Sequence, residues 1–77
     1  MTSRIWTDEI DEHLTGAGHG GYRIRRDSPY TVRVIHEGPD PRQHLDQYTD
    51  LLRDLGYTAT LERATDIRPL RLRVTHR

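Results

Sequence analysis

The chain has 77 residues, with twelve basic and twelve acidic side chains and no cysteine. That length suffices for one domain and excludes a second core. The missing cysteines exclude a disulfide scaffold, and neither a secretory apolar segment nor a run of roughly 20 apolar residues is present, so a cytoplasmic protein that does not enter a membrane is expected.

Thr7 followed by Asp8 and Glu9 predicts a helix start, with Thr7 as N-cap and the acids at the positive end of the helix dipole. Trp6, Ile10, His13 and Leu14 share one helical face. This short acidic helix occupies 1–15. Gly16, Gly18, Gly20 and Gly21 then crowd a six-residue stretch, 16–21, in which ordered backbone is entropically expensive, and the stretch reads as a hinge. The rest, 22–77, reads as the body of the single domain.

Tyr22-Arg23-Ile24-Arg25 and Tyr30-Thr31-Val32-Arg33-Val34 alternate apolar and polar residues around Asp27-Ser28-Pro29, which predicts a β-hairpin with its turn at 27–29. Gly38-Pro39 ends the second strand. Asp40-Pro41 supplies an N-cap and a proline at the first helical position. Leu45, Tyr48, Leu51, Leu52 and Leu55 follow at helical spacing up to a stop at Gly56. Tyr57 to Glu62 and Leu70 to Thr75 alternate again, with 65–69 as the turn, and predict a second hairpin. The order is a short N-terminal helix and then ββαββ. The expected class is α+β, with one helix packed on one face of an antiparallel four-stranded sheet.

Charge divides along the same boundaries. Residues 1–21 carry one Arg against four acids and 37–56 carry two against five, whereas 22–36 carry four Arg against one acid and 57–77 carry five against two. Helical segments are acidic and hairpins are basic. Because side chains alternate across a strand, a helix-facing set of Tyr22, Ile24, Tyr30, Val32, Val34, Tyr57, Ala59, Leu61, Leu70, Leu72 and Val74 turns Arg23, Arg25, Arg33, Arg71 and Arg73 to the other side. They share that side with Glu62, Ile35 and several Thr. Such a face could lie on DNA or RNA, since Arg and Thr bind phosphate oxygens and Arg forks onto guanine. The competing readings are an ordinary solvated sheet face and contact with a protein partner that has an acidic surface, and a pI near 7 lacks the basic excess usual in nucleic-acid binders.

On the main helix, Asp46, Asp50 and Asp54 form one stripe opposite the leucines. Like charges at i, i+4 are mildly unfavourable, which leaves either simple solvation or a contact with a basic protein partner or a second copy. The tethered first helix could also fold over the Arg face and mask it. Trp6 is expected to pack onto the domain, with an interface anchor as the alternative. A domain this small buries only about 60% of its unfolded surface, and with no disulfide a homodimer is expected. All twelve basic residues are Arg. Genome composition accounts for this, and so does selection for the planar guanidinium fork.

Gly16, Gly18 and Gly21 match G-x-G-x-x-G, but a helix precedes them and a strand follows, the reverse of a dinucleotide-binding turn. The five His have no H-x-x-x-H pair and no Cys, so no metal site is expected. Ser3 and Ser28 lack a nucleophile elbow, and neither catalytic residues nor a cofactor are expected. At the level of fold alone the layout resembles small modules that read DNA with a sheet face. The expectation is a non-enzymatic binding module with nucleic acid as partner. The alternative is a protein-interaction or regulatory protein that uses the acidic helix faces.

Overall fold

A computed structural model describes residues 3–76; Arg77, counted above in the charge of the second hairpin, lies outside them. Helix α1 (Thr7–Gly16) precedes strands β1 (Tyr22–Ser28) and β2 (Thr31–His36), helix α2 (Pro41–Asp54), and strands β3 (Tyr57–Glu62) and β4 (Arg71–His76). The sheet is four-stranded in the order β1-β2-β4-β3 and antiparallel throughout. The two hairpins lie side by side, with β2 and β4 in the centre and β1 and β3 at the edges.

The alternation that specified the strands also specifies the layers. Val32 and Val34 on β2 and Leu72 and Val74 on β4 are fully buried, and Leu45, Tyr48 and Leu52 of α2 pack onto them. At about 1.5–3 kcal/mol for each fully buried aliphatic side chain, this inner layer supplies most of the driving force for folding. Ile5, Ile10 and Leu14 are also fully buried in the same cluster. Helix α1 therefore lies beside α2 on the inner face and does not cover the Arg face, so the masking-flap arrangement is corrected. Helix α2 packs on one face of the antiparallel four-stranded sheet as expected, and α1 adds to the same side.

Polar contacts fix α1 there. Glu9 accepts from the Trp6 backbone N–H at 2.8 Å and from the Tyr57 hydroxyl at 2.6 Å, and it pairs with His76 at 3.1 Å. Burial opposes ionisation of Glu9, but the bonds from Tyr57, Trp6 and His76 outweigh it and hold its pKa below the usual value. Hydrogen bonds also bracket the glycine run. The His19 N–H donates to the Leu14 carbonyl at 3.0 Å and the Glu37 N–H to the Gly21 carbonyl at 2.7 Å.

Local departures from the sequence reading have identifiable causes. Trp6, not Thr7, occupies the N-cap position of α1, because the Glu9 carboxylate reaches back to its N–H. Asp27 and Ser28 belong to β1 through an irregularity in register between Arg26 and Ser28, which leaves Pro29 and Tyr30 as the turn. Tyr30 is accordingly exposed and does not face the helix. Asp40 stands at the N-cap of α2 in the left-handed region (φ 54°) and makes no side-chain cap bond, a conformation that Asp tolerates better than most residues. Leu55 falls just beyond the last turn and is exposed, while Gly56 takes φ +98° to turn the chain into β3.

Beneath the N-terminal end of α2, His36 is buried and stacks on His44 at 3.9 Å with rings 9° apart. Its Nδ1 lies 2.8 Å from the Tyr48 hydroxyl. Gly38 is required here, since a Cβ at that position would stand 2.9 Å from the imidazole Nε2. Burial, and secondarily the neighbouring His44, pushes the pKa of His36 below its ordinary 6.5.

Candidate functional site

All five arginines singled out from the sequence lie on the outer face of the sheet, turned away from both helices. Arg25 pairs with Arg33 across β1 and β2, and Arg33 with Arg73 across β2 and β4. Three guanidinium groups thus form one row across three strands, and Thr60 on β3 faces Arg73 at its end. With strands about 4.8 Å apart, such a row of like charges is unfavourable by itself.

Acids bridge it. Asp27, two residues beyond Arg25 on β1 and so on the same face, pairs with Arg25 at 2.6 Å and with Arg33 at 2.5 Å. Glu62 reaches Arg33 and Arg71, both at 2.8 Å. Glu37 pairs with Arg23 at 3.1 Å. Bonds from Arg33 hold the Glu62 carboxyl below its usual pKa. Burial would raise that of Asp27, but bonds from Arg33 and Arg25 outweigh it and lower it as well. In return, Glu62 and then Asp27 raise the pKa of Arg33.

These bridges divide the five arginines. Arg33 and Arg71 are largely buried among their partners, with side chains 21% and 11% exposed, while those of Arg23 and Arg25 are 70% and 73% exposed. Arg73 is exposed and forms no ion pair among the described residues. The inner pair braces the sheet, and Arg23, Arg25 and Arg73 present donors to solvent.

The face is not flat. Where β2 ends and β4 begins, the segment linking β3 to β4 bounds a concavity of about 380 Å³. Arg33, Ile35 and Arg71 line it from the central strands, Arg23 and Arg25 from β1, and Ile67, Arg68 and Pro69 from the linking segment. Ile67 is 87% exposed although aliphatic. Arg68 and Ile67 are the residues that strand alternation could not supply, since they belong to no strand. The available signal was an isoleucine placed in a turn, where nothing in the fold requires one. The opposite end of the face carries Thr58 beside Thr75.

The remaining candidates are dispersed. Asp46, Asp50 and Asp54 are exposed on the solvent side of α2, with Arg42 3.5 Å from Asp46. Trp6 is half exposed at the start of α1, and the Arg26 guanidinium sits 3.9 Å from its ring centroid. Neither lies near the Arg row. His13 packs on Tyr57 and His19 on Tyr48. Among the described residues no group of three or more His, Cys, Asp or Glu is arranged to hold a metal, and no helix is long and apolar enough to cross a membrane.

Comparisons with protein-family models, with curated proteins and with solved structures found no match.

Proposed function

We propose that this protein is a non-enzymatic binding module that engages the phosphate backbone of nucleic acid, DNA in the first instance, through the outer face of its sheet. The observation that carries this reading is the cross-strand row Arg25–Arg33–Arg73. A row of like charges costs stability, and here Asp27 and Glu62 offset that cost at Arg25 and Arg33 where neutral residues would suffice for a solvated face. Arg23, Arg25 and Arg73 make the phosphate contacts, and Arg33 and Arg71 fix the curvature and spacing beneath them. Lacking aromatic side chains, this face has no platform for base stacking, which favours backbone contacts over readout of splayed bases.

The test is a gel-shift series with random-sequence duplex between about 50 and 200 mM salt, where a protein neutralising several phosphates loses affinity steeply. An Arg25→Ala/Arg73→Ala double variant should bind at least about tenfold more weakly at low salt and show a salt slope lower by about 2. Unaltered binding by that variant removes the assignment of this face.

A second reading rests on the opposite layer. The stripe Asp46, Asp50 and Asp54 is exposed on the far side of the molecule from the Arg row, which suits head-to-tail contact between copies or docking of a basic protein. Sedimentation at low and high salt separates this from the first reading, because association through the stripe should weaken as salt rises and disappear in an Asp46→Asn/Asp50→Asn variant.

A further inference from the structure

Five arginines line the concavity on the outer face, Arg23, Arg25, Arg33, Arg68 and Arg71. The carboxylates that pair with them, Asp27, Glu37 and Glu62, do not line it. Three negative charges against five positive ones leave two uncompensated. Moreover, Arg25 and Arg71 each pair through Nε, so both terminal nitrogens of each guanidinium remain available as donors. Arg68 is exposed and makes no ion pair among the described residues.

We propose that this concavity seats a phosphate monoester at the end of a nucleic-acid strand. The inference rests on the reading of the outer face as a nucleic-acid surface and adds the class of group it selects. Charge favours a strand end. An internal phosphodiester brings one negative charge, whereas a terminal monoester brings about 1.5–2 near neutral pH, which matches the two uncompensated guanidinium groups. Shape favours it too. Ile67, Arg68 and Pro69 close one side, so a continuous strand would have to climb over this wall, while a terminus ends against it. At about 380 Å³ the concavity falls within the range of small-ligand sites, roughly 300–1,000 Å³. Ile35, Ile67 and Pro69 offer apolar surface to the terminal sugar and base. An aliphatic residue as exposed as Ile67 contributes nothing to the core, and a contact of this kind accounts for its position.

The test compares oligonucleotides of one sequence bearing a 5′-phosphate, a 3′-phosphate or only hydroxyl ends, by fluorescence anisotropy on the full chain, with adenosine 5′-monophosphate as a separate probe. One phosphorylated form should bind about tenfold more tightly than the hydroxyl form, the scale of a single added charge-assisted hydrogen bond. Arg68→Ala and Ile67→Asp, both on the exposed linking segment, should bring that ratio close to one. Equal affinity for all three oligonucleotides overturns the seat and leaves the surface reading intact. Saturable binding of the monophosphate, lost in Arg68→Ala, with no binding of any oligonucleotide keeps the seat and overturns the nucleic-acid reading. A phosphate preference that survives both variants places the recognising group elsewhere and also overturns the proposal.

Discussion

The two faces of the sheet are made by the same four strands, yet they obey different rules. On the inner face Val32, Val34, Leu72 and Val74 are fully buried under two helices, and each position is constrained by volume. On the outer face Arg25, Arg33 and Arg73 stand in a row in which Asp27 and Glu62 pair with the first two, and each position is constrained by charge. Dry packing admits few substitutions without a cavity. A partly hydrated ion network tolerates rearrangement and leaves donors free for a ligand. In this domain stability is concentrated on one side and the capacity to bind on the other, so the two should be separable by mutation.

The strongest way to break that separation is to remove residues 1–20. If α1 were a flap, the truncated chain would fold and bind nucleic acid more tightly. Because Ile5, Ile10 and Leu14 are buried in the core, at about 1.5–3 kcal/mol each, the truncated chain should instead lose its cooperative thermal transition, as circular dichroism would show. Next in size, Leu52→Ala should cost about 2–5 kcal/mol in urea denaturation. Any affinity that variant retains while folded should equal that of the parent.

Glu62→Gln tests the outer face in the opposite sense. Removing a carboxylate that serves both Arg33 and Arg71 should cost about 1–2 kcal/mol, since hydrogen bonds to charged groups contribute more than neutral ones and this pair is only partly shielded from water. The same change raises the positive potential of the face, so duplex affinity should increase. A variant that is less stable but binds more tightly would show that the acids brace the row at the expense of its field.

Acid should act in two steps, on a histidine first and on carboxylates after it. His36 has a depressed folded-state pKa, so the unfolded chain takes up its proton first. The contribution of His36 to stability is complete above about 6.5 and declines as pH falls below that value. Asp27 and Glu62 are also depressed in the folded state, so their contribution is complete above the ordinary carboxylate range and declines only as pH falls through and below roughly 4. Urea midpoints measured across pH should therefore fall in two stages, the first from His36 and the second from the carboxylates, Glu9 beside α1 together with Asp27 and Glu62 on the outer face. The smallest effect is expected for Trp6→Ala, which removes the Arg26 stacking, about 0.5–1 kcal/mol at an exposed site.

Much of this was legible in the chain itself. Period-two alternation in Tyr57–Glu62 and in the residues from Leu70 onward fixed which side chains share a face, because that geometry is local to a strand. Helical spacing from Leu45 to Leu52 placed α2 for the same reason. The Arg face could thus be written down residue by residue before its surroundings were known. Asp27 was misplaced because a turn signal and a bulge use the same residue types, and only pairing with β2 distinguishes them.

Tertiary structure decided the remainder. Strand order is set by which edges meet after each hairpin has formed, and nothing local to Val32 or Val74 specifies that β2 and β4 adjoin. The place of α1 followed from a competition that sequence cannot score, between the entropy of a glycine-rich connection and burial of Ile5, Ile10 and Leu14. The pairing of Glu62 with both Arg33 and Arg71, and the concavity closed by Ile67 and Arg68, depend on segments distant in the chain and adjacent in space. The sequence by itself determined the composition of each face, since alternation is a property of neighbouring residues. The sheet order and the folded-back connections determined which charges meet, since Coulomb and packing forces act on distance in space and not on distance along the chain.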